Sequence, residues 1–505
     1  MSPSSSPSPL RALVNTLSDA VSAIDGAFAA AGHPYPALSA PFDPAAPAEA
    51  LFAQADVAAA AETVAAASVA LAAAVGTPQY KVLRTANAHT ASSALRVAID
   101  GAVAEILRPA GAEGLPVNEI AAKNGLDAGK LGRILRKLAS VHVFREVSPN
   151  VFANNRLSSV LDTGKEVDAI RADATAHFTG TGPVGFAALC RHLSDVSLKG
   201  SAYLYETLTD EERGRADAAE KAAVPFALKT EFATYEWYEQ PGNEGRLACF
   251  SAAMKGQAAA QVPDVMLKGF DFSALPPGSA VVDVGAGVGH MVMSVVRRFP
   301  ALRAVVEDRP AVLARAREYW HEELPGASVA FVAQDFFEPQ AAAVFDAQDL
   351  GERSHPEAAQ PPAVTGQPPA VFLLFHVLHN WGRARALVIL RHLRAAAGGG
   401  TRLVVGEHIA PYACCGGTAD DGVGEWKGAG EGKDATNGAA SVAPLLAPGK
   451  AEYASSLDMI MLIDLNGEER TLGTFAELAA ASGWHIVAVH RVPGNADAHI
   501  VAEPV

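Results

Sequence analysis

Four stretches of this chain bring together residue types that can do chemistry. The run VVDVGAGVGH, residues 281–290, carries glycines at Gly285, Gly287 and Gly289. Glycine lets a backbone turn sharply and approach a ligand closely, and the helix expected to start near Gly289 offers unpaired N–H groups. The spacing is not that of a dinucleotide fingerprint. The last glycine of G-x-G-x-x-G falls on His290 when counted from Gly285 and on Val292 when counted from Gly287. An acid, Asp283, precedes the glycines instead; it repels a pyrophosphate and suits a ligand carrying ammonium and sulfonium charge. Two further acids follow the next apolar runs. In AVVEDRP, Asp308 or Glu307 is placed to accept from both hydroxyls of a ribose; in VAQDFFEP, Asp335 can accept from an adenine amino group while Phe336 stacks on the ring. The fourth stretch, FLLFHVLHNWGRARALVILRHL, holds His379, and imidazole, with an ordinary pKa near 6.5, suits proton transfer. His376 competes with it. A strand running on to Leu378 would point the two rings to opposite faces, so that one alone could meet a ligand.

The elements that must position these residues show in the texture of the chain. Its 505 residues are a prior of roughly three domain-sized units, and half of them are hydrophobic, enough for large cores. The formal charge of -15 disfavours nucleic acid as a partner. The four cysteines, Cys190, Cys249, Cys414 and Cys415, include no CxxC pair, no metal site is expected, and their scarcity points to a reducing, cytoplasmic setting. The start, MSPSSSPSPL, lacks the form of a secretory signal, and the Ala-rich run from Val57 to Val75 contains Glu62 and reads as a soluble helix rather than a membrane span. Residues 1–80 read as a tail and helices. Residues 81–165 read as helix (Ala91–Leu107), helix (Val117–Asn124), break at Gly125, helix capped by Asp127, and hairpin, the layout of a winged helix. Lys130, Arg133, Arg136 and Lys137 on its second helix raise DNA binding as a rival role. Residues 166–275 are helical and rich in aromatics. From 276 to 505, seven short apolar runs alternate with helices, which predicts a parallel sheet with helices on both faces. Two aperiodic inserts, 340–369 and 412–452, read as loops without chemistry.

Taken together, D-x-G-x-G-x-G resembles the Rossmann-like methyltransferases that use S-adenosyl-L-methionine. The stretch Leu378-His379-Asn380-Trp381 then resembles the L-H-D-W signature of the plant and fungal O-methyltransferases of the caffeic acid and sterigmatocystin type. VVGEHIAP with Glu407 and LDMIMLIDLNGEERT with Asp458, Met461 and Glu469 match the same family. The resemblance implies an α/β fold: an α-helical winged-helix dimerisation domain, then a seven-stranded Rossmann-like methyltransferase domain. It implies a homodimer, His379 as the base oriented by Glu407 and Glu469, and a phenolic or polyketide-like hydroxyl as substrate, with Met254, Asn380, Asp458 and Met461 toward it. A phenol has a pKa near 10, so the imidazole takes its proton only as the oxygen attacks the methyl, and an acid on the other ring nitrogen stabilises the imidazolium. The chain departs from the family at Phe375, where Lys or Arg is usual, at Asn380, where Asp is usual, and at Gly382, Arg383 and Ala384. A methyltransferase-like protein that binds the cofactor without turnover is the alternative.

Overall fold

The computed structural model describes residues 8–180, 182–259, 264–340, 368–413, 443–492 and 497–505. The chain divides into two compact units: Met1–Arg215, Glu220–Gln261 and Ser441–Lys450 form the first, and Ala216–Ala219, Val262–Ala440 and Ala451–Val505 the second. Cys414 and Cys415, with most of both inserts, lie outside the described residues.

In the first unit, the helices Pro9–Ala30 and Ala55–Val75 pair antiparallel, with Leu13 against Ala67 near one end and Phe28 against Val57 near the other. Ala55–Val75 is long and apolar enough to cross a membrane by length and composition, and is little buried. The next element departs from expectation. The helix over Ala91–Leu107 is two helices, His89–Asp100 and Val103–Leu107, broken where Ala102 takes a positive φ of 48°. After it come Val117–Asn124, a left-handed Gly125, and Ala128–Ala139, whose first turn is capped by Asp127 Oδ1 accepting from Lys130 N at 2.8 Å. Leu131, Leu135 and Leu138 face inward. Strands β1 (Leu115–Pro116), β2 (Arg145–Ser148) and β3 (Val151–Ala153) form an antiparallel sheet in the order β1-β3-β2, completing the winged helix. Arg136 is turned onto this wing, its guanidinium on Glu146 and Asn150.

The second unit is built on a seven-stranded sheet in the order β6-β5-β4-β7-β8-β10-β9. Its strands are β4 (Ala280–Val284), β5 (Arg303–Asp308), β6 (Val329–Ala333), β7 (Val371–Phe375), β8 (Arg402–His408), β9 (Trp484–Arg491) and β10 (Asp497–Pro504). All seven apolar runs become strands. The sheet is not wholly parallel as expected: β10 runs antiparallel to both β8 and β9. Alternate residues feed two cores. Val282, Phe372 and Val405 pack with the helices Arg383–Ala396 and Leu472–Ala481, while Val281, Leu373 and Val404 pack with His290–Arg298 and Pro310–Glu323. Burial on both faces is why these strands read as continuous apolar runs. The helix Ala443–Leu465 begins inside the expected second insert, so residues 443–452 are helix rather than loop.

Strand order reverses between β4 and β7. From β4 the chain builds β5 and β6 on one side, then returns to lay β7 on the other. The carboxyl ends of β4 and β7 diverge there and open the crevice in which such sheets bind ligands. The glycine turn leaves β4, and the His379 segment leaves β7.

A buried polar cluster in the first unit centres on Glu105. Glu105 Oε1 accepts from Thr163 N at 3.1 Å, Thr163 Oγ1 at 2.6 Å and His177 Nε2 at 3.0 Å. Burial raises the Glu105 pKa, but these hydrogen bonds outweigh it and leave the carboxyl below its ordinary range. Glu105→Ala strands three buried donors, so thermal or urea unfolding should show a loss of roughly 3–5 kcal/mol, the usual result of breaking a buried pair. Unchanged stability would contradict this role.

Candidate active site

Strand β7 ends at Phe375, where the expected apolar run ends, so the condition for opposed rings, a strand running on to Leu378, is not met. His376 turns the chain with a φ of 52°, and Leu378–Asn380 form one 3-10 turn. The rings of His376 and His379 are stacked, centroids 5.3 Å apart and 22° between planes, rather than opposed.

The segment 377–381 is held on every side by buried groups. Glu407, in β8 next to β7, offers Oε1 to three successive backbone donors: Val377 N at 3.0 Å, Leu378 N at 2.8 Å and His379 N at 3.3 Å. The buried Arg470 guanidinium donates to the carbonyls of Leu378, at 2.7 Å, and Trp381. Glu468 N donates to His379 O at 2.8 Å, an approach open because residue 467 is glycine: a Cβ there would lie 2.2 Å from His379 O. Asp458 Oδ1 accepts from Glu469 N at 2.9 Å and so fixes the start of the return segment.

Against this frame stands the imidazole of His379, with 14% of its side chain exposed. Its Nδ1 is 2.7 Å from Glu469 Oε1 and 3.8 Å from Glu407 Oε2. Both carboxylates are fully buried. With Nδ1 donating to Glu469, the tautomer assigned from that bond leaves the Nε2 lone pair to act as a base. The two glutamates therefore divide the work: Glu469 holds the ring and Glu407 holds the backbone beneath it. Burial pulls the imidazole pKa down, but the Glu407 charge and the hydrogen bond and charge of Glu469 outweigh it, and the group stands above its ordinary value. Burial likewise pushes Glu407 up. Among the described residues, this trio is the one cluster with donor atoms near enough for a metal ion, within 4.8 Å of one another. The observed separations are those of a hydrogen-bonded acid–imidazole group.

The glycine turn completes the crevice. Gly285, Gly287 and Gly289 all have positive φ, 69°, 59° and 75°, as the turn requires. A Cβ on Gly285 would meet Val377 Cγ2 at 3.0 Å and Phe336 at 3.6 Å, which places the turn, the β7 loop and the ring after β6 side by side. Phe336 also meets Trp381 edge-on at 5.8 Å. Asp283 is buried beneath the turn, bonded by the backbone of Val292 in the following helix, and its Oδ2 has no partner. Glu307 is buried with Oε1 unpartnered and Oε2 3.2 Å from Gln340 Nε2. Burial pushes Asp283 up to about 7 and Glu307 to about 8. Two orphaned buried carboxylate oxygens are costly unless a ligand supplies donors or positive charge. Asp308 is instead drawn into the turn, with Oδ2 accepting from Gly287 N at 2.8 Å and Oδ1 from Arg309 N at 2.7 Å. Asp335 is exposed and caps its own turn through Phe337 N at 2.9 Å.

Asn380 donates from Nδ2 to His376 O at 3.1 Å, and Met461 lies half-buried on Ala443–Leu465. Met254 is on Glu244–Ala259 in the first unit and is exposed. Sequence reasoning missed Arg470, Gly467 and the stacking of His376. A charge directly after Glu469 in a run otherwise legible as site was the signal for Arg470. Glu469→Gln removes the charge on Nδ1, and NMR of labelled imidazoles should then show His379 titrating at lower pH; an unmoved titration would contradict the coupling.

Residues 83–164 match the O-methyltransferase dimerisation domain and residues 217–355 the O-methyltransferase domain; the second match holds the glycine turn and stops before β7. An O-methyltransferase of Armillaria gallica is 36% identical over 507 aligned positions, covering 99% of this chain and 100% of the relative. A 4-O-methyltransferase of Phanerochaete chrysosporium is 33% identical and covers 96% of each chain. In fold, the chain is similar to the O-methyltransferase NcsB1 from neocarzinostatin biosynthesis, solved with S-adenosyl-L-homocysteine and 1,4-dihydroxy-2-naphthoic acid. The TM-score is 0.53 at 21% identity, over 82% of this chain and 96% of that one. Relatives this similar along the whole length settle the family: the chain belongs to the O-methyltransferases of fungal type, enzymes with a dimerisation domain ahead of a Rossmann-like methyltransferase domain.

Proposed function

We propose that this chain transfers the methyl group of S-adenosyl-L-methionine to a hydroxyl of a phenolic or polyketide-like secondary metabolite, with His379 as the base. The observation that carries the reading is a buried, acid-backed imidazole 2.7 Å from Glu469, on the loop that leaves β7 beside the glycine turn. The enzyme acts as a homodimer through residues 83–164 and works in the cytoplasm.

The orphaned oxygens of Asp283 and Glu307 fit a ligand with cationic groups and ribose hydroxyls, and Phe336 offers a flat face to adenine. Asp308, already bonded to Gly287 N, keeps spare lone pairs for a ribose and holds the turn in shape. Asp335 would accept from the adenine amino group. The bound cofactor supplies an electrophilic methyl on a sulfonium. His379 Nε2 takes the proton of the acceptor hydroxyl as its oxygen becomes the nucleophile. Glu469 and Glu407 then stabilise the imidazolium, as an acid does in a hydrolase triad. Their charge lifts the imidazole toward the phenol pKa near 10, which narrows the proton-transfer gap. Arg470 and Glu407 keep the loop still, and orientation of oxygen, methyl and base is the larger contribution to rate. Met254, Asn380, Asp458 and Met461 are the residues we assign toward the substrate. The fold is shared by proteins of other activity, so the acid–imidazole site and not the sheet is the ground for this reading.

Tritium from labelled S-adenosyl-L-methionine should pass to members of a panel of phenols. His379→Ala should lower the rate by about 10²–10⁴-fold, the range of general-base catalysis. Undiminished transfer to a phenol in His379→Gln would contradict His379 as the base, transfer to amines but not to phenols would point to nitrogen as acceptor, and binding without transfer in the wild type would point to a protein that has lost catalysis. A base must be neutral to act, so kcat/KM should fall with acid through a midpoint above the ordinary imidazole value of about 6.5. Cofactor affinity should also depend on pH. Asp283 and Glu307 are largely protonated below pH about 7 and about 8, and a cationic ligand prefers them ionised. Calorimetry from pH 6 to 8.5 should show tighter binding with rising pH and proton release; pH-independent affinity would contradict the assignment.

A further inference from the structure

Beside His379 stands a second histidine to which the reaction above gives no role. His376 is the first residue after β7, and its φ of 52° is a conformation non-glycine residues rarely adopt. Such a conformation persists where the surroundings over-determine it, and it clusters at functional sites. Here both of its backbone polar groups and one ring nitrogen are tied. Its N–H donates to Gly406 O at 3.0 Å, its carbonyl accepts from Asn380 Nδ2 at 3.1 Å, and its Nε2 lies 3.1 Å from Asp497 Oδ1. An aspartate at 380 could not donate to that carbonyl, so the departure at Asn380 and the turned backbone of His376 belong together. The product is an imidazole with its own carboxylate, stacked on the imidazole of His379.

We propose that His376 and Asp497 form a second acid–imidazole pair, a positioning pair that stacks on His379 and tunes how readily it takes the substrate proton. The proposal rests on the reading of His379 as the base. Two imidazolium charges with ring centres 5.3 Å apart repel, so a proton on His376 opposes one on His379. The carboxylate of Asp497 acts the other way: its charge favours the protonated form of His379, and the His376 hydrogen bond keeps it ionised, below the ordinary range despite burial. The other titratable groups bearing on the pair are Glu407 and His408 from β8, His499 from β10, Glu469 from the return segment, His290 from the helix after the glycine turn, and Tyr453 from Ala443–Leu465. Only His376 combines a stacked ring with a carboxylate of its own.

The test uses the full chain with labelled histidine, free of substrate, and follows the His379 resonance, assigned by its loss in His379→Gln. His376→Phe keeps an aromatic ring in the stack but cannot take a proton, and it deprives Asp497 of a donor; His379 should titrate at higher pH than in the wild type. Asp497→Asn removes the negative charge; His379 should titrate at lower pH. In kinetics with labelled S-adenosyl-L-methionine and the phenol panel, the acid limb of kcat/KM should move the same way in each variant. The change should be about threefold or more in rate below the midpoint, the effect of two charges at this distance in a water-like dielectric. A His379 titration unmoved in both variants, or moved in one direction by both, overturns the proposal. If one variant fails to fold, the other decides by its sign. Wild-type protein that methylates no phenol defeats the functional reading, while the imidazole titration still decides the role of His376.

Discussion

One buried carboxylate sets the terms for the rest of this site. Glu407 has no exposed surface, and its Oε1 accepts from the N–H groups of Val377, Leu378 and His379 in turn. A strand that ends inside a protein must find partners for the donors it no longer pairs. Here the neighbouring strand supplies all three from one oxygen. The turn that results swings His379 back beside His376 and within reach of Glu469. The imidazole of His379 is thus placed by backbone hydrogen bonds, and the carboxylate that makes them also raises its proton affinity.

The same logic runs through the crevice. The reversal of strand order between β4 and β7 brings two loops together that are far apart in sequence. Each loop is stiffened by a group that a packed core would not choose. Asp308 takes the N–H of Gly287, Arg470 takes the carbonyls after β7, and Gly467 gives up its side chain so that the return segment can touch His379 O. Asp283 and Glu307 are the exceptions, buried with oxygens that no protein donor reaches. Unsatisfied charge of this kind is destabilising in a core and useful where a ligand completes it.

Much of this was legible in the residues alone. Seven apolar runs became the seven strands, because their shortness and their alternation with helical patterns mark them as strands where periodicity alone does not. The glycine turn and the trio His379, Glu407 and Glu469 came from spacing together with family resemblance. What stayed hidden was the path of the chain after a strand stops. The expected run Val371–Phe375 is β7 as observed, but nothing in FLLFHVLHNW shows the turn that follows, which Glu407 holds from some 30 residues further on. Without that turn, the stacking of His376 and the structural duty of Asn380 could not be seen. The separate roles of the two glutamates and the Arg470 clamp are likewise contacts between distant segments. The antiparallel return of β10 escaped because its burial pattern reads the same in either direction.

The most direct test of the central claim is a crystal structure with S-adenosyl-L-homocysteine and a methylatable phenol both bound. The account predicts the acceptor oxygen within about 2.6–3.2 Å of His379 Nε2, the ring still bonded to Glu469 through Nδ1, and the sulfur on the far side of that oxygen. A phenol oxygen held by any other side chain, with His379 turned away from the glycine turn, would contradict it.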